Sequence, residues 1–208
     1  MMRFRTGVPR GAAIAGVAFL LSLTAVASTS TWQFDPERSW AEFSVRYLAI
    51  SSVRGSFTKV HGTAKLDDQD AAKSTVDVTI DVSNLDTHEA DRDRELRSDK
   101  FFDAAHYPAM TFKSKKVEQV ISTGKLTVTG DLTIRGVTRE VVLDIIGPSA
   151  PSKEGNGKER SAVTATTKIN RQDFGIKGNT TMDNGKAVAG DEVSITLHIE
   201  MVKQAPAK

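Results

Sequence analysis

Apolar and polar residues alternate along most of this chain with a period of two. Ala41, Phe43, Val45 and Tyr47 fall on one face, and Glu42, Ser44 and Arg46 on the other. The same alternation runs through Val76, Val78, Ile80 and Val82 against Asp77, Thr79 and Asp81. It recurs at Leu126, Val128, Leu132 and Ile134 against Thr127, Thr129, Asp131, Thr133 and Arg135. It recurs again at Val193, Ile195, Leu197, Ile199 and Met201 against Ser194, Thr196, His198 and Glu200. Successive side chains of a strand point to opposite faces, so each run predicts an antiparallel strand with one buried and one wet face. Further strands are predicted over Ser56–Leu66, Ala109–Val117, Val137–Ile146 and Ser161–Arg171, which makes about eight. Arg135-Gly136-Val137-Thr138 predicts a tight turn or bulge between two long strands. Pro148–Arg160 is nearly free of apolar residues and predicts a flexible hairpin loop. The fold class is therefore all-β. Closure into a barrel removes the sheet edges, and about eight strands enclose either a side-chain core or one slender ligand. A two-sheet sandwich has the same periodicity and stays open.

One segment breaks the pattern. Asp86–Phe112 is densely charged, and Asp86 with Glu89 three residues later forms a capping-box pattern. Thr87–Arg97 lacks Gly, Pro and aliphatic β-branched residues and predicts a helix. Its only apolar residues are Ala90 and Leu96, so it lies on a surface. Phe101, Phe102, Tyr107 and Phe112 follow at once. A polar helix followed by an aromatic cluster describes a lid whose rings plug inward.

The N-terminus changes the charge balance. Arg3, Arg5 and Arg10 precede the apolar stretch Ala12–Ala27, which ends in Ala25-Val26-Ala27. That pattern predicts a secretory signal peptide over 1–27, too short in its apolar part for a membrane span. Its removal takes three Arg from 28 basic residues and none from 26 acidic ones, which leaves a net charge of −1. No basic face for nucleic acid emerges. The expected mature chain, 28–208, is long enough for one domain with a sizeable core. It has no cysteine, which excludes thiol chemistry, disulfides and Cys-based zinc sites.

Catalytic chemistry finds little support. The four histidines, His61, His88, His106 and His198, form no H-x-x-x-H pair, and a zinc site needs three or four converging ligands. No G-x-S-x-G elbow and no Gly-rich phosphate loop is present. Asp91/Glu95 and Asp93/Arg97 are i,i+4 pairs on a surface helix and read as solvated charge. No catalytic residue, metal ligand or cofactor is therefore expected. Arg92 has two readings, a headgroup contact at a pore mouth or an anchor between helix and barrel. Arg54 and Arg171 are further headgroup candidates. Trp40, Phe43, Tyr47, Phe57, Phe101, Phe102, Phe112 and Phe174 either line a pore or fill a core.

Four segments together resemble a known family. They are FDPERSWAEFSVRYLAISSVRGSFTKVHGTAKLD at 34–67, SNLDTHEADRDRELRSDKFFDAAHYPAMTF at 83–112, GDLTIRGVTREVVLDI at 130–145 and TTKINRQDFGI at 166–176. In this order, and above all in RD-x-x-L-x-S-x-x-FFD, GDLTI-x-GVT and IN-R-x-DFGI, they resemble the YceI-like polyisoprenoid-binding proteins. The resemblance implies an exported, periplasmic, lipocalin-like barrel with a helix beside it and an elongated apolar pore. Three positions where the family often has His hold Arg38, Tyr47 and Glu95, so a role for those histidines is not implied here.

With that resemblance, the expected function is a non-enzymatic carrier of a long isoprenoid lipid of prenyl-phosphate or quinone type. The expected lining is Phe43, Val45, Tyr47, Phe57, Val78, Ile80, Leu132, Ile134 and Phe174, with Leu96, Phe101 and Phe102 from the lid and Arg92 at the mouth. Arg171–Ile176 also reads as a strand end and corner with Phe174 turning into the core. The partner is the lipid, with no nucleic acid; transient membrane contact and a homodimer stay open. Two other classes remain, a solid barrel that docks a protein partner and an enzyme on prenylated substrates using Asp93 or Glu95.

Overall fold

β-Branched and aromatic residues suit a pleated, half-buried surface, and the alternating runs pair accordingly. A computed structural model describes residues 29–48, 50–120, 125–179 and 188–205; the expected signal peptide lies outside the described residues. Six strands, β1 (Thr29–Phe34), β2 (Trp40–Tyr47), β3 (Ser51–Thr58), β4 (His61–Asp67), β5 (Thr75–Asp81) and β6 (Leu85–Asp86), precede the helix α1 (Ala90–Arg97). Six more follow it: β7 (Ala109–Val120), β8 (Lys125–Ile134), β9 (Val137–Ile146), β10 (Ser152–Lys153), β11 (Glu159–Asn170) and β12 (Ala189–Lys203).

All described pairings are antiparallel. A ring runs from β1 through β4, β5, β7, β8, β9 and β11 to β12, which pairs back onto β1. This is a closed eight-stranded, lipocalin-like barrel, and the sandwich alternative is excluded. β12 is long enough to serve two neighbours on one edge, with Met201 opposite Phe34 of β1 and His198 opposite Trp40 of β2. Residues 35–39 are the bend between them, held by Ser39, whose Oγ donates to the Glu200 carbonyl at 3.2 Å and accepts from its N–H at 3.1 Å.

Ser56–Leu66 is not one strand as expected. Lys59 adopts a left-handed φ of 58° and divides it into β3 and β4. A 3-10 turn at Val82–Asn84 likewise separates β5 from β6. Together β2, β3 and β6 extend the wall beyond the ring, and at that end α1 follows β6 and packs against it. The predicted turn at Arg135-Gly136 is a two-residue hairpin with φ of 50° and 71°, joining Ile134 to Val137.

Two apolar clusters form the core. One fills the ring end and includes Trp32, Phe34, Val60, Val117, Val128 and Met201. The other lies under α1 and includes Phe57, Val82, Leu85, Met110, Ile134, Phe174 and Ile176.

The stretch 148–160 is tied down rather than free. β10 pairs with the start of β11, and Arg160 reaches three carboxylates. Its Nη1 lies 2.6 Å from Asp35 Oδ2 and 3.1 Å from Glu200 Oε1, and its Nε lies 2.7 Å from Glu154 Oε1. The sequence hid this because Arg160 and Asp35 lie 125 positions apart. The hydrogen bond from Arg160 holds the Asp35 carboxyl below its ordinary range, and Arg160 does the same for Glu154. A carboxylate depressed in the folded state adds stability above its unfolded pKa and loses it as pH falls through the folded value. Arg160→Gln is therefore expected to melt below the wild type at pH 7, with the gap closing below about pH 4. Thermal unfolding of both proteins between pH 7 and pH 2 checks this; a gap that stays constant would sink it.

Candidate functional site

A cavity of about 720 Å³ lies between the two clusters and is lined mainly by apolar side chains. Phe43, Val45, Tyr47, Phe57, Val78, Ile80, Leu132 and Ile134 line it, as do Leu96, Phe101, Phe102 and Arg92. Apart from Phe57, for which the sequence shows no alternating run, the strand residues of this set lie on the apolar faces that the alternation marks. Phe174 is the exception. It closes the 3-10 turn Arg171–Phe174, is buried at 1 % exposure and packs in the cluster under α1, outside the cavity lining. The turn directs it away from the pore, consistent with the corner reading of the same segment. Trp40 also stays out. It lies on the opposite face of β2 from Ala41 and stacks on His198 at 4.7 Å.

Phe112, which the sequence left between pore and core, also lines the cavity, and further lining residues were not anticipated: Val141, Leu143, Ile169, Ile195 and Leu197. The same period-two signal marks them on β7, β9, β11 and β12. What was missing was the closure that brings those strands around one space.

Glycine shapes one wall. A Cβ at Gly55 would lie 2.5 Å from Phe43 Cζ and 2.7 Å from Thr87 Cγ2, so only the bare backbone lets the ring and the threonine close over β3. Phe43 then meets Phe57 at 5.6 Å, and Phe102 meets Phe57 edge-on at 5.6 Å. These contacts seat the lid aromatics on the strand aromatics, a geometry favourable for ring quadrupoles.

The helix is shorter than predicted and is not held by the expected capping box. Glu89 is the N-cap residue, without a side-chain cap bond, and Asp86 Oδ1 accepts from the His88 N–H instead. The anchor is Asp93, buried at 8 % exposure, whose Oδ1 accepts from the Thr87 N–H at 2.9 Å and the Thr87 hydroxyl at 2.5 Å. Arg97 Nη2 adds a bond to the Leu85 carbonyl at 2.5 Å.

Arg92 combines both of its expected positions. Nε donates to Thr87 Oγ1 at 2.9 Å and Nη2 to the Thr87 carbonyl at 2.7 Å, while the side chain also lines the cavity. Arg171 lines the cavity, but its donors are committed to the carbonyls of Gly190, Ile176 and Gly178 and to Asp191 Oδ1. Its role is to tie the corner to β12, and the headgroup role considered for it is corrected. Tyr47 and Glu95, two positions where the resemblance expects His, both line the mouth. Arg38, the third, lies at the other end, 3.0 Å from Glu200. Among the described residues, no three His, Asp or Glu side chains gather to hold a metal ion. The barrel is not solid, which removes the premise of the side-chain-filled docking module.

With this geometry in place, the chain can be set beside known proteins. The model of the YceI-like domain matches residues 32–201. A UPF0312 protein of Vibrio parahaemolyticus is 34 % identical over 193 residues, covering 91 % of this chain and 96 % of its own. Protein YceI of Escherichia coli O157:H7 is 34 % identical over 183 residues, covering 87 % and 90 %. The crystal structure of a Campylobacter jejuni YCEI protein is similar with a TM-score of 0.63 at 32 % identity, over 77 % of this chain and 90 % of that one. Two more distant structures share the fold. One is a polyisoprenoid binding domain from Saccharophagus degradans implicated in plant cell wall breakdown, at 17 % identity and a TM-score of 0.58, covering 84 % of this chain and 98 % of that one. The other is BcnA of Burkholderia cenocepacia, at 24 % identity and 0.66, covering 80 % and 98 %. The barrel, the helix beside it and the matched sequence together show that this chain belongs to the YceI-like family.

Proposed function

We propose that this protein is an exported carrier that holds the tail of a long isoprenoid lipid in its barrel cavity, without covalent chemistry. The observation that carries this reading is the apolar cavity of about 720 Å³ reaching from the ring core to a polar mouth beside α1. That size falls in the range of sites that enclose small molecules. Each buried methylene contributes about 0.8 kcal/mol. Burial of roughly ten then yields about 8 kcal/mol, enough to offset a substantial part of the cost of association. Tail burial therefore supplies affinity with no polar contact required, which fits a site built from side chains such as Val45, Ile80 and Leu132.

A family whose relatives include a polyisoprenoid binding domain supports the choice of an isoprenoid tail. Asp93, a candidate acid for the enzyme alternative, is committed to Thr87, which favours a structural role. The signal-peptide pattern at 1–27 supports export, and the family resemblance supports the periplasm as the place of work. Transient membrane contact would let the lipid enter and leave.

Native mass spectrometry of gently extracted protein tests the reading. The expected result is a co-purifying lipid of prenyl type, released on denaturation. Protein that emerges lipid-free and takes up no added prenyl lipid would overturn it.

A further inference from the structure

The β2–β3 hairpin carries an apolar tip that projects into water. Ile50 is the most exposed large apolar side chain among the described residues, at 88 %. Tyr47 beside it is 38 % exposed. The tip is nevertheless shaped. The Tyr47 carbonyl accepts from the Ile50 N–H at 3.3 Å and from the Ser51 hydroxyl at 3.2 Å, and the Leu48 N–H donates to the Val188 carbonyl at 2.8 Å. Tyr47 also lines the apolar cavity, and the lining continues through Val45 and Val53. An apolar path therefore runs from the hairpin tip into the space between the two clusters.

The hairpin is also basic. From Phe43 to Thr58 the chain has two charged residues, Arg46 and Arg54, and no acid. Both stand on its wet face, Arg46 opposite Ser52 and Arg54 opposite Ser44. Both are exposed, and among the described residues neither guanidinium has an ion pair or a hydrogen bond. The expected mature chain has a net charge of −1, so this is a local cationic edge rather than a general affinity for anions. Glu89, Asp91 and Glu95 border the apolar cavity but not the space at the hairpin that Arg46, Ile50 and Arg54 line. An anionic surface is thus repelled from the helix side of the mouth and attracted to the hairpin side. The next most exposed apolar pair, Val142 and Ile146, shares its face of β9 with Glu140 and Asp144 instead.

We propose that the tip of the β2–β3 hairpin is a membrane-docking surface, which seats Ile50 and Tyr47 in an anionic phospholipid bilayer with Arg46 and Arg54 against its surface charge. The inference rests on the carrier reading for its purpose, since docking here brings the cavity mouth to the bilayer. Exposed apolar side chains rimmed by polar ones mark contacts with proteins or membranes. A standard protein interface buries about 1,200–2,000 Å². That is far more than the tip of one hairpin presents. Interfacial binding needs only apolar side chains at headgroup depth and cations drawn by anionic lipid. Tyrosine suits that layer, with an apolar ring and a polar end. A contact of one Ile, one Tyr and two Arg is weak enough to release, which a carrier that shuttles requires.

The test is co-sedimentation of the expected mature chain with vesicles of phosphatidylcholine alone and of an equal mixture of phosphatidylcholine and phosphatidylglycerol. The wild type is expected to bind the mixed vesicles at least about tenfold more tightly, with the difference eroding as salt rises. Ile50→Asp is expected to lose about tenfold or more in affinity for the mixed vesicles, and Arg54→Gln about fivefold. Neither side chain lines the apolar cavity. Ile50→Asp is therefore expected to keep the wild-type melting temperature and to take up geranylgeraniol from detergent as the wild type does. Undiminished binding of Ile50→Asp to the mixed vesicles overturns docking through the tip. A wild type that binds neither vesicle yet takes up geranylgeraniol overturns the docking surface and leaves the carrier reading intact. Docking that both variants weaken, without geranylgeraniol uptake by any of the proteins, supports the surface and overturns the carrier reading. Self-association that Ile50→Asp abolishes, without vesicle binding, gives the tip to a second copy of the chain and overturns the proposal.

Discussion

Leu132→Trp is expected to abolish retention of long-tailed lipid while leaving the barrel folded. Leu132 sits on β8 opposite Phe112, and both side chains line the cavity. An indole at this position projects into space that a tail would fill. Displacing roughly four methylenes removes about 3 kcal/mol of tail burial. By the same arithmetic the dissociation constant rises about 100-fold. Leu132 is only partly buried and borders an open space, so the larger ring has room without the strain that overpacking a closed core brings. The measurement is lipid uptake by the purified variant, read against its melting temperature. Wild-type uptake in a folded Leu132→Trp protein would contradict the cavity as the binding site. A short probe such as a ten-carbon isoprenoid should be less affected than a long one, since only the displaced portion is lost.

Phe57→Ala is expected to have the largest effect on stability. Phe57 is 4 % exposed, meets Phe43 and Phe102 at 5.6 Å each and joins the cluster under α1. Truncating a buried Phe to Ala costs about 3–5 kcal/mol, the loss of transfer energy plus the space left behind. For a domain of this size that corresponds to a melting temperature lower by roughly 6–20 °C. Because Phe102 rests edge-on against the same ring, the segment after α1 should loosen as well. Hydrogen exchange would show this as faster exchange over 96–104 than over the ring strands. The bond from the Phe102 N–H to the Leu96 carbonyl and that from the Ala104 N–H to the Arg97 carbonyl are the reporters. A melting temperature within 2 °C of wild type, with unchanged exchange at those amides, would show that the lid is held by its polar anchors alone.

These two outcomes separate the parts of the site. The strand face contributes the volume and apolarity of the cavity, and the segment after α1 covers it. The charges of the helix fix its position through Asp93 and Arg97, while Arg92 stands both in that anchor and at the mouth. The densely charged insert that the sequence marks as unusual is therefore mostly scaffold. Its apolar side chains Leu96, Phe101 and Phe102 cover the cavity, beside the polar side chains of α1 at the mouth.

Period-two alternation told which face of β2, β5 and β8 turns inward, because neighbouring side chains on a strand cannot share a face. Phe43, Val45, Val78, Ile80, Leu132 and Ile134 were legible on that ground alone. The hairpin at Arg135-Gly136 was legible from Gly136, which takes one of the two positive φ angles such a turn needs, while Arg135 takes the other without that tolerance. The polar character of α1 was legible from its composition, although its first turn was not. Asp86 turns back on the His88 N–H two residues on, and Thr87 bonds to Asp93, so neither forms the capping box that the Asp86/Glu89 spacing suggests.

What remained hidden depends on residues far apart in the chain. Closure of the barrel requires Phe34 opposite Met201 and Arg160 opposite Val202, and no local pattern encodes a partner. Without closure, Ile195, Leu197, Val141 and Leu143 are ordinary strand residues; with it, they line the same space as Val78. Phe174 carried the same apolar signature as the lining, and a four-residue 3-10 turn sent it into the core. Arg160 read as the end of a loose loop, and a bond to Asp35 across 125 positions made it a clasp. The sequence by itself determined the faces, because side-chain direction is a local property of the backbone. Only the tertiary structure decided which faces share a cavity and which distant charges meet, because pairing register and closure are set by the packing of the whole chain.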